Sequence, residues 1–400
     1  MAENTNSWIE VPSFSNLSRE QKEVYGASLD SNILINGAAG SGKTILAILR
    51  AKQLASKGKR ILFITFTKIL HQFTELASSQ YNLDNVDIVY TSQMVYNAFG
   101  RHVKSLSELT ENMINRLIKN YTGVYDHIIV DEGQDFEIKI YNNLFQKLGN
   151  VHTVCADRKQ SIYSESDYNS KDVKAIYSPM IENVLDFTYR NPINVLATSS
   201  GFWINKFRNS PAELKGGKIK TYNESKGEVR LVQTNNEVDS IATIIKNRAK
   251  NTVGVLLPNN AAVKFFYDAL TDRDLGEIEH KFSIGGDWDN TVDFFNTNPK
   301  VLTYHSAKGI QFDTVILPLL NNTYDDRIKF TNQIEEARAF YVAMTRTKKT
   351  LYFIKPGEHI CPYYDFIPMD YLKIVQRPED VIPKLNDIYD FGDKNEDLPF

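Results

Sequence analysis

Residues 32–50 read NILINGAAGSGKTILAILR. A short β-branched apolar run ends at Gly37, and an apolar run follows in which Gly58 can close a helix. Between them, residues 37–44 match G-x-x-x-x-G-K-[ST]. Strand, glycine-rich turn and helix are the context that a phosphate-binding loop requires. Along Gly37, Ala38, Ala39, Gly40, Ser41 and Gly42, successive backbone N–H groups can turn toward a β-phosphate, reinforced by the helix N-terminus. Lys43 adds a point charge for the β- and γ-oxygens, and Thr44 offers a hydroxyl to Mg²⁺. The stretch implies ATP with Mg²⁺.

Working outward, RILFITFT (60–67), HIIV (127–130) and VHTVCA (151–156) read as further strands. Residues 109–121 form an amphipathic helix, with Leu109, Met113 and Leu117 on one stripe and Ile114 and Ile118 beside it. Strands separated by helices imply a parallel sheet with helical crossovers. The second half follows the same alternation. GEVRLVQ (227–233), TVGVLLP (252–258), KVLTYH (300–305) and TVILPL (314–319) read as strands, and 261–270 and 332–346 as helices. Two α/β domains joined near residues 164–190 are expected.

HIIV runs into Asp131 and Glu132. Adjacent carboxylates at a strand end can hold a metal, move a proton or simply face water. Downstream of a phosphate loop, Asp131 is the second contact to Mg²⁺ and Glu132 the general base for the water attacking the γ-phosphate.

Composition sets the limits. With 400 residues there is room for two or three domains, and 42% hydrophobic against 24% charged residues is an ordinary globular balance. Two distant cysteines, Cys155 and Cys361, argue against a disulfide framework or a structural zinc and fit a cytoplasmic protein. No apolar run approaches a membrane span, and MAENTNSWIEV is unlike a signal peptide. Net charge is −3, but residues 379–400 hold seven Asp/Glu and two Lys, a net of −5. That leaves −3 − (−5) = +2 for the rest, so any polyanion site must be a local patch.

Across residues 17–355 the order of motifs resembles superfamily 1 helicases of the UvrD/Rep/PcrA type: LSREQ (17–21), the phosphate loop, TFTK (65–68), DEGQD (131–135), ADRKQSIYS (156–164), LDFTYRN (185–191), YHSAKGIQFDTVILP (304–318) and EEARAFYVAMTRTKKTLYF (335–353). The resemblance implies two RecA-like P-loop domains with parallel sheets and ATP in the cleft between them: an extension over 1–16, a first domain over 17–180, a second over 181–355 and an acidic tail over 356–400. It implies that Gln21 reads the adenine, Gln160 senses the γ-phosphate, Tyr189 stacks on the base, and Gln311 meets the ribose where the family has Glu. Arg190 and Arg346 are the expected arginine fingers, and such a finger contributes about 10³–10⁵ in rate. Arg190 precedes Asn191 and Pro192, which read as an N-cap and a first helical residue. Gln134 and Asp135 would relay the nucleotide state toward the nucleic acid. Phe66, Thr67, Tyr163, Thr303 and His305 occupy family positions along the single-strand groove, where aromatic faces take bases and hydroxyls or cations take phosphates.

Two departures qualify the expectation. Where the family has SIYSWRGA this chain has SIYSESDY, with Glu165 in place of the stacking Trp and Tyr168 as the nearby substitute. Both accessory inserts are shortened to stubs. The expected function is an ATP-driven 3′–5′ translocase or helicase on single-stranded DNA, with the choice between DNA and RNA left open by the sequence. A partner protein such as a nuclease is expected, and no membrane. One alternative is a nucleic-acid-stimulated ATPase switch that signals to a partner without unwinding. Another is a nucleotide-dependent protein-interaction scaffold.

Overall fold

The computed structural model describes residues 12–66, 71–72, 74–75, 85–100, 108–121, 123, 125–157, 160, 168–208, 220–223, 225–284, 287–294, 296–331 and 333–375. The chain divides into two compact units, with the division between Thr188 and Tyr189.

The first unit is built on β1 (Asn32–Gly37), β2 (Ile61–Thr65), β3 (Val86–Tyr90), β4 (His127–Val130), β5 (Val151–Ala156) and β6 (Met180–Leu185), followed by the two-residue β7 (Phe187–Thr188). The first six form one sheet in the order β3-β2-β4-β5-β1-β6, parallel throughout. Its helices are α1 (Arg19–Tyr25), α2 (Lys43–Ala55), α3 (Thr91–Phe99), α4 (Glu111–Tyr121), α5 (Ile138–Asn143) and α6 (Ser170–Ile176). Side chains alternate across a strand, so Leu34 joins Leu62, Ile64, Ile128, Val130 and Val154 on one face. There they meet Met94 and Val95 of α3, Met113, Ile114 and Leu117 of α4, and Ile140 and Tyr141 of α5. α2 lies along β1, β2 and β5. The strand order matters for the site. β5 lies between β1 and β4, so the loops leaving β1 and β4 end only two strand spacings, roughly 10 Å, apart.

β6 pairs with β1 along its whole length, which keeps residues 180–185 in the first unit, beyond the end at residue 180 read from sequence.

The strands of the second unit are the two-residue β8 (Lys220–Thr221), β9 (Glu228–Thr234), β10 (Val253–Leu257), β11 (Glu279–Ile284), β12 (Asp287–Asn290), β13 (Lys300–Thr303), β14 (Phe312–Pro318), β15 (Thr347–Pro356) and β16 (Lys373–Val375). Eight of these form a sheet in the order β12-β11-β13-β10-β14-β15-β9-β16, parallel apart from the β11–β12 hairpin. The helices are α7 (Ile193–Lys206), α8 (Glu237–Asn247), α9 (Asn260–Thr271) and α10 (Ile334–Met344). Asn236 and Asn259 cap α8 and α9 by accepting from Asp239 N and Ala262 N. Apolar residues of α8 and α9 share a core with Val232, Val255, Leu257, Val301 and Ile316 of the sheet. α7 packs on α10, with Phe202 edge-on to Phe340 and Trp203 edge-on to Tyr341. Residues 357–375, read from sequence as the start of a tail, belong to this fold. Cys361, Tyr363 and Ile367 are buried and β16 adds to the sheet edge. Both units are α/β with parallel-strand sheets, the RecA-like arrangement that the resemblance implies.

Candidate nucleotide site

The loop after β1 is shaped by two glycines in the left-handed region, Gly40 at φ 75° and Gly42 at φ 90°, the latter the N-cap of α2. An L side chain at either would be strained. Inside the curl, the Ser41 hydroxyl is fully buried with no hydrogen-bond partner among the described residues. A Cβ on Gly37 would lie 2.5 Å from it. A buried, partnerless hydroxyl in a glycine-lined cradle at a helix N-terminus suits a phosphate group. Lys43 is buried, and its Nζ donates to the loop's own carbonyls, Gly37 O at 2.8 Å and Ala38 O at 3.1 Å.

At the end of β4, the Thr44 hydroxyl donates to Asp131 Oδ2 at 2.7 Å. The other oxygen, Oδ1, accepts from Glu132 N at 3.0 Å. A hydroxyl and a carboxylate in contact are the donor set that Mg²⁺ takes beside nucleotide phosphates. Asp131 is fully buried, and that burial, reinforced by the neighbouring Glu132 carboxylate, pushes its pKa up to about 7. Lys43 and the Thr44 hydrogen bond pull the other way without offsetting it.

Glu132 sits at φ 52°, ψ 42°, a left-handed conformation for a residue with a side chain. Its Oε2 accepts from Gln134 Nε2 at 2.5 Å. Gln134 Oε1 in turn accepts from Asp157 N at 2.8 Å, and Asp157 Oδ2 accepts from Gln160 Nε2 at 2.7 Å. A continuous polar chain therefore joins Glu132 to Gln160 across the C-terminal ends of β4 and β5, and all four residues are buried. Beside it lies Gly133. Its carbonyl accepts from Tyr141 Oη at 2.7 Å, and a Cβ there would lie 2.6 Å from that oxygen. Gln21 is buried at the start of α1, and its carboxamide donates to Ser41 O at 3.1 Å.

The first unit thus gathers the phosphate loop, Asp131, Glu132, Gln160 and Gln21. Phe66 stands just past β2, half-buried and edge-on to the core residue Phe136 at 5.2 Å. Thr67 and Tyr163 lie outside the described residues, as does Glu165. Tyr168, the aromatic suggested as a substitute for the missing Trp, is 7% exposed and packs with Tyr141 in the core, so it offers no stacking face.

In the second unit, Arg190 Nη1 donates to Thr345 O at 3.2 Å, and Arg346 Nη2 donates to Thr345 Oγ1 at 3.2 Å. The two guanidinium groups converge on one residue, the C-cap of α10. Arg346 is also held by Val342 O and is 1% exposed. The sequence-based cap shifts by one residue. Pro192 is the N-cap of α7, and the Asn191 carboxamide donates instead to Thr345 O and Thr347 O. Two buried carbonyls outcompete the local cap for that side chain. Tyr189 stacks on Tyr222 at 5.2 Å and 13°, and Tyr222 is half exposed. Thr303 ends β13, and its hydroxyl accepts from Ser306 N at 3.0 Å, fastening the turn that carries half-buried His305. Gln311 is half-buried in the loop before β14. Sequence reasoning gave no role to Asp157, although it stands inside the ADRKQ segment. It also gave no role to Thr345, inside the EEARAFYVAMTRTKKTLYF segment, and missed Tyr141 and Tyr222, which no motif marks.

A family model described as the UvrD-like helicase C-terminal domain matches residues 44–357 of the 400. No curated protein sequence matches the chain. Among solved structures, the Pif1 helicase from Candida albicans is 13% identical, with 85% of this chain and 95% of that one covered at a TM-score of 0.44. Arterivirus nonstructural protein 10, a helicase in complex with DNA, is also 13% identical, with 85% of this chain covered at a TM-score of 0.40. The chain spans 64% of that protein's length.

Proposed function

This chain belongs to the UvrD-like helicase C-terminal domain family, and from that membership we propose that it is an ATP-hydrolysing motor that moves along single-stranded DNA in the 3′–5′ direction. The observation that carries the proposal is the contact of Thr44 with Asp131 at 2.7 Å beside Glu132 and the phosphate loop. Phosphoryl transfer asks a protein mainly for positioning and charge. Lys43, released from the Gly37 and Ala38 carbonyls, takes the β- and γ-oxygens. Thr44 and Asp131 would hold Mg²⁺, which would supply positive charge against the phosphate oxygens. Glu132 accepts the proton of the attacking water. Gln134 fixes that carboxylate and ties it through Asp157 to Gln160, the residue assigned to the γ-phosphate. Arg190 and Arg346 supply transition-state charge, and Tyr189 and Gln311 hold the nucleoside. Phe66, Thr67, Tyr163, Thr303 and His305 are assigned to the nucleic acid, and a nuclease is the kind of partner that would use such a motor.

The test is ATP hydrolysis measured in parallel without nucleic acid and with single-stranded DNA, duplex DNA or RNA, beside a strand-displacement assay with both tail polarities. Stimulation by single strands with displacement from a 3′ tail is expected. Stimulation without displacement would assign the ATPase-switch role. A rate indifferent to every nucleic acid would refute the motor.

A further inference from the structure

Residues 220–227 read KTYNESKG, a polar stretch in which no apolar period places an aromatic ring. Around Tyr222, side chains close short turns two residues on. Thr221 Oγ1 accepts from Asn223 N at 3.0 Å, Asn223 Oδ1 from Ser225 N at 3.0 Å, and Ser225 Oγ from Gly227 N at 3.2 Å. The same side chains fasten the stretch along the YRN segment. Thr221 Oγ1 donates to Asn191 O at 2.8 Å, and Asn223 Nδ2 donates to Arg190 O at 2.9 Å. Tyr222 lies between these two ties, and its ring stacks on Tyr189 with centroids 5.2 Å apart and planes 13° from parallel. Offset stacking of this kind is a favoured aromatic geometry. Tyr222 nevertheless stays 52% exposed, so core burial is a poor account of its place.

We propose that Tyr222 is a positioning residue for the nucleotide base, backing one face of the Tyr189 ring and leaving the opposite face to the base. The inference rests on the reading of Tyr189 as the base-stacking residue. A ring that is free to turn loses that freedom when a ligand stacks on it, and the loss counts against affinity. Tyr222 holds the plane of Tyr189 before the ligand arrives. The ties from Thr221 and Asn223 run to the backbone of the two residues that follow Tyr189, so the backing ring and the stacking ring share one frame. A base on the far face completes a three-layer stack, in which a two-ring purine overlaps Tyr189 more fully than a pyrimidine does. Stacking reads the face of a base and not its hydrogen-bonding edge. The pair therefore adds affinity for purine nucleoside triphosphates, and the choice between adenine and guanine falls to groups that meet the base edge.

Isothermal titration of the full chain uses the Mg²⁺ salts of ATP and of tripolyphosphate, which has no base. Wild type is compared with Tyr222→Ala, Tyr222→Phe, Tyr189→Ala and the double alanine variant. Tyr222→Ala is expected to weaken ATP roughly two- to tenfold, the strength of one aromatic pair, and to leave tripolyphosphate unchanged. Tyr222→Phe keeps the ring and is expected to bind ATP as the wild type does. In the Tyr189→Ala background, removing Tyr222 should weaken ATP no further, because its effect passes through the ring already lost. A further loss there overturns the proposal. Equal weakening of both ligands by Tyr222→Ala overturns it in favour of a structural role for the segment. Unchanged ATP affinity in Tyr222→Ala also overturns it, as does tighter binding, which would mean that Tyr222 covers the face the base needs. A Tyr222→Phe variant as weak as Tyr222→Ala would move the effect to the hydroxyl and overturn it too. Wild-type ATP affinity in Tyr189→Ala refutes the base-stacking reading itself, and a wild type that binds neither ligand refutes the nucleotide site.

Discussion

Replacing Asp131 with Asn tests whether the candidate metal-binding carboxylate is held at a cost in the nucleotide-free protein. Asp131 is fully buried, with its pKa lifted from 3.8 to about 7 by that burial and by Glu132 beside it. The difference, 7 − 3.8, is about 3 units, or roughly 4 kcal/mol at 1.36 kcal/mol per unit. The folded protein holds this proton more tightly than the unfolded chain does. The group's favourable contribution is therefore fully present below about pH 4 and is lost as pH rises through about 7. Asparagine removes the charge and nearly preserves the contacts. Its oxygen can accept from Glu132 N as Oδ1 does, and its NH₂ can face the Thr44 hydroxyl, which turns to accept. Without metal or nucleotide, Asp131→Asn is expected to be more stable than wild type at pH 8. Its advantage should shrink by roughly 2–3 kcal/mol on moving to pH 5. The assay is urea unfolding in EDTA, followed by far-UV circular dichroism, with variant and wild type compared at each pH. A stability difference that is equal at pH 5 and pH 8, or that favours wild type at pH 8, refutes the reasoning. The same variant should lose hydrolysis at both pH values.

Other outcomes follow from the same geometry. Lys43→Ala is expected to abolish turnover, whereas Glu132→Gln retains nucleotide and blocks hydrolysis; equilibrium binding beside phosphate release separates them, and full turnover in either removes the site assignment. Gly133→Ala places a Cβ 2.6 Å from Tyr141 Oη and 2.8 Å from Val154 Cγ1, and should cost about 1–3 kcal/mol by overpacking. Tyr141→Phe loses only the bond to Gly133 O and should cost about 1 kcal/mol; chemical denaturation ranks the pair, and the opposite order would contradict the packing argument. Burial pushes the His152 imidazole down to about 4 from 6.5, so its contribution is present above pH 6.5 and is lost as pH falls through 4. That loss is worth roughly 3 kcal/mol, and His152→Gln should flatten the acid limb of the stability profile between those values.

What could be read from the sequence follows burial. β1, β4 and β5 are rich in apolar residues and lie inside the sheet, and their sequence bounds match the structure. β3 and β6 are its two edges. β6 reads MIENVL, with Ile181 and Val184 exposed and Glu182 facing Lys174, a pattern that neither alternates cleanly nor runs apolar. α7 reads INVLATSSGFWINK, and its serines and Gly201 depress helix propensity. Gly201 is there for close approach, because a Cβ on it would lie 2.7 Å from Pro368. That contact partner lies in the 357–375 segment, whose place in the fold no local pattern announces.

The site divides along a similar line. Lys43, Thr44, Asp131 and Glu132 are legible because the phosphate-loop pattern and the strand-terminal acid pair fix residue types at short spacing, and the β4-β5-β1 order brings them together. The residues that hold them are not legible, since a carboxamide or hydroxyl serves any nearby donor or acceptor equally well. Gln134 pairs with Glu132 and Asp157, Gln21 with Ser18 and Ser41, and Asn191 with Thr345 and Thr347 instead of capping its own helix. In each case one carboxamide ties its own stretch of backbone to another that the sequence places far away. Removing such a side chain frees both segments at once. Gln134→Ala should therefore release the Glu132 carboxylate and the Asp157–Gln160 pair together. The expected result is a fall in kcat with ATP affinity little changed, read from hydrolysis rates beside equilibrium nucleotide binding. A variant that lost affinity and kept its maximal rate would show that Gln134 serves ground-state binding and does not order the base.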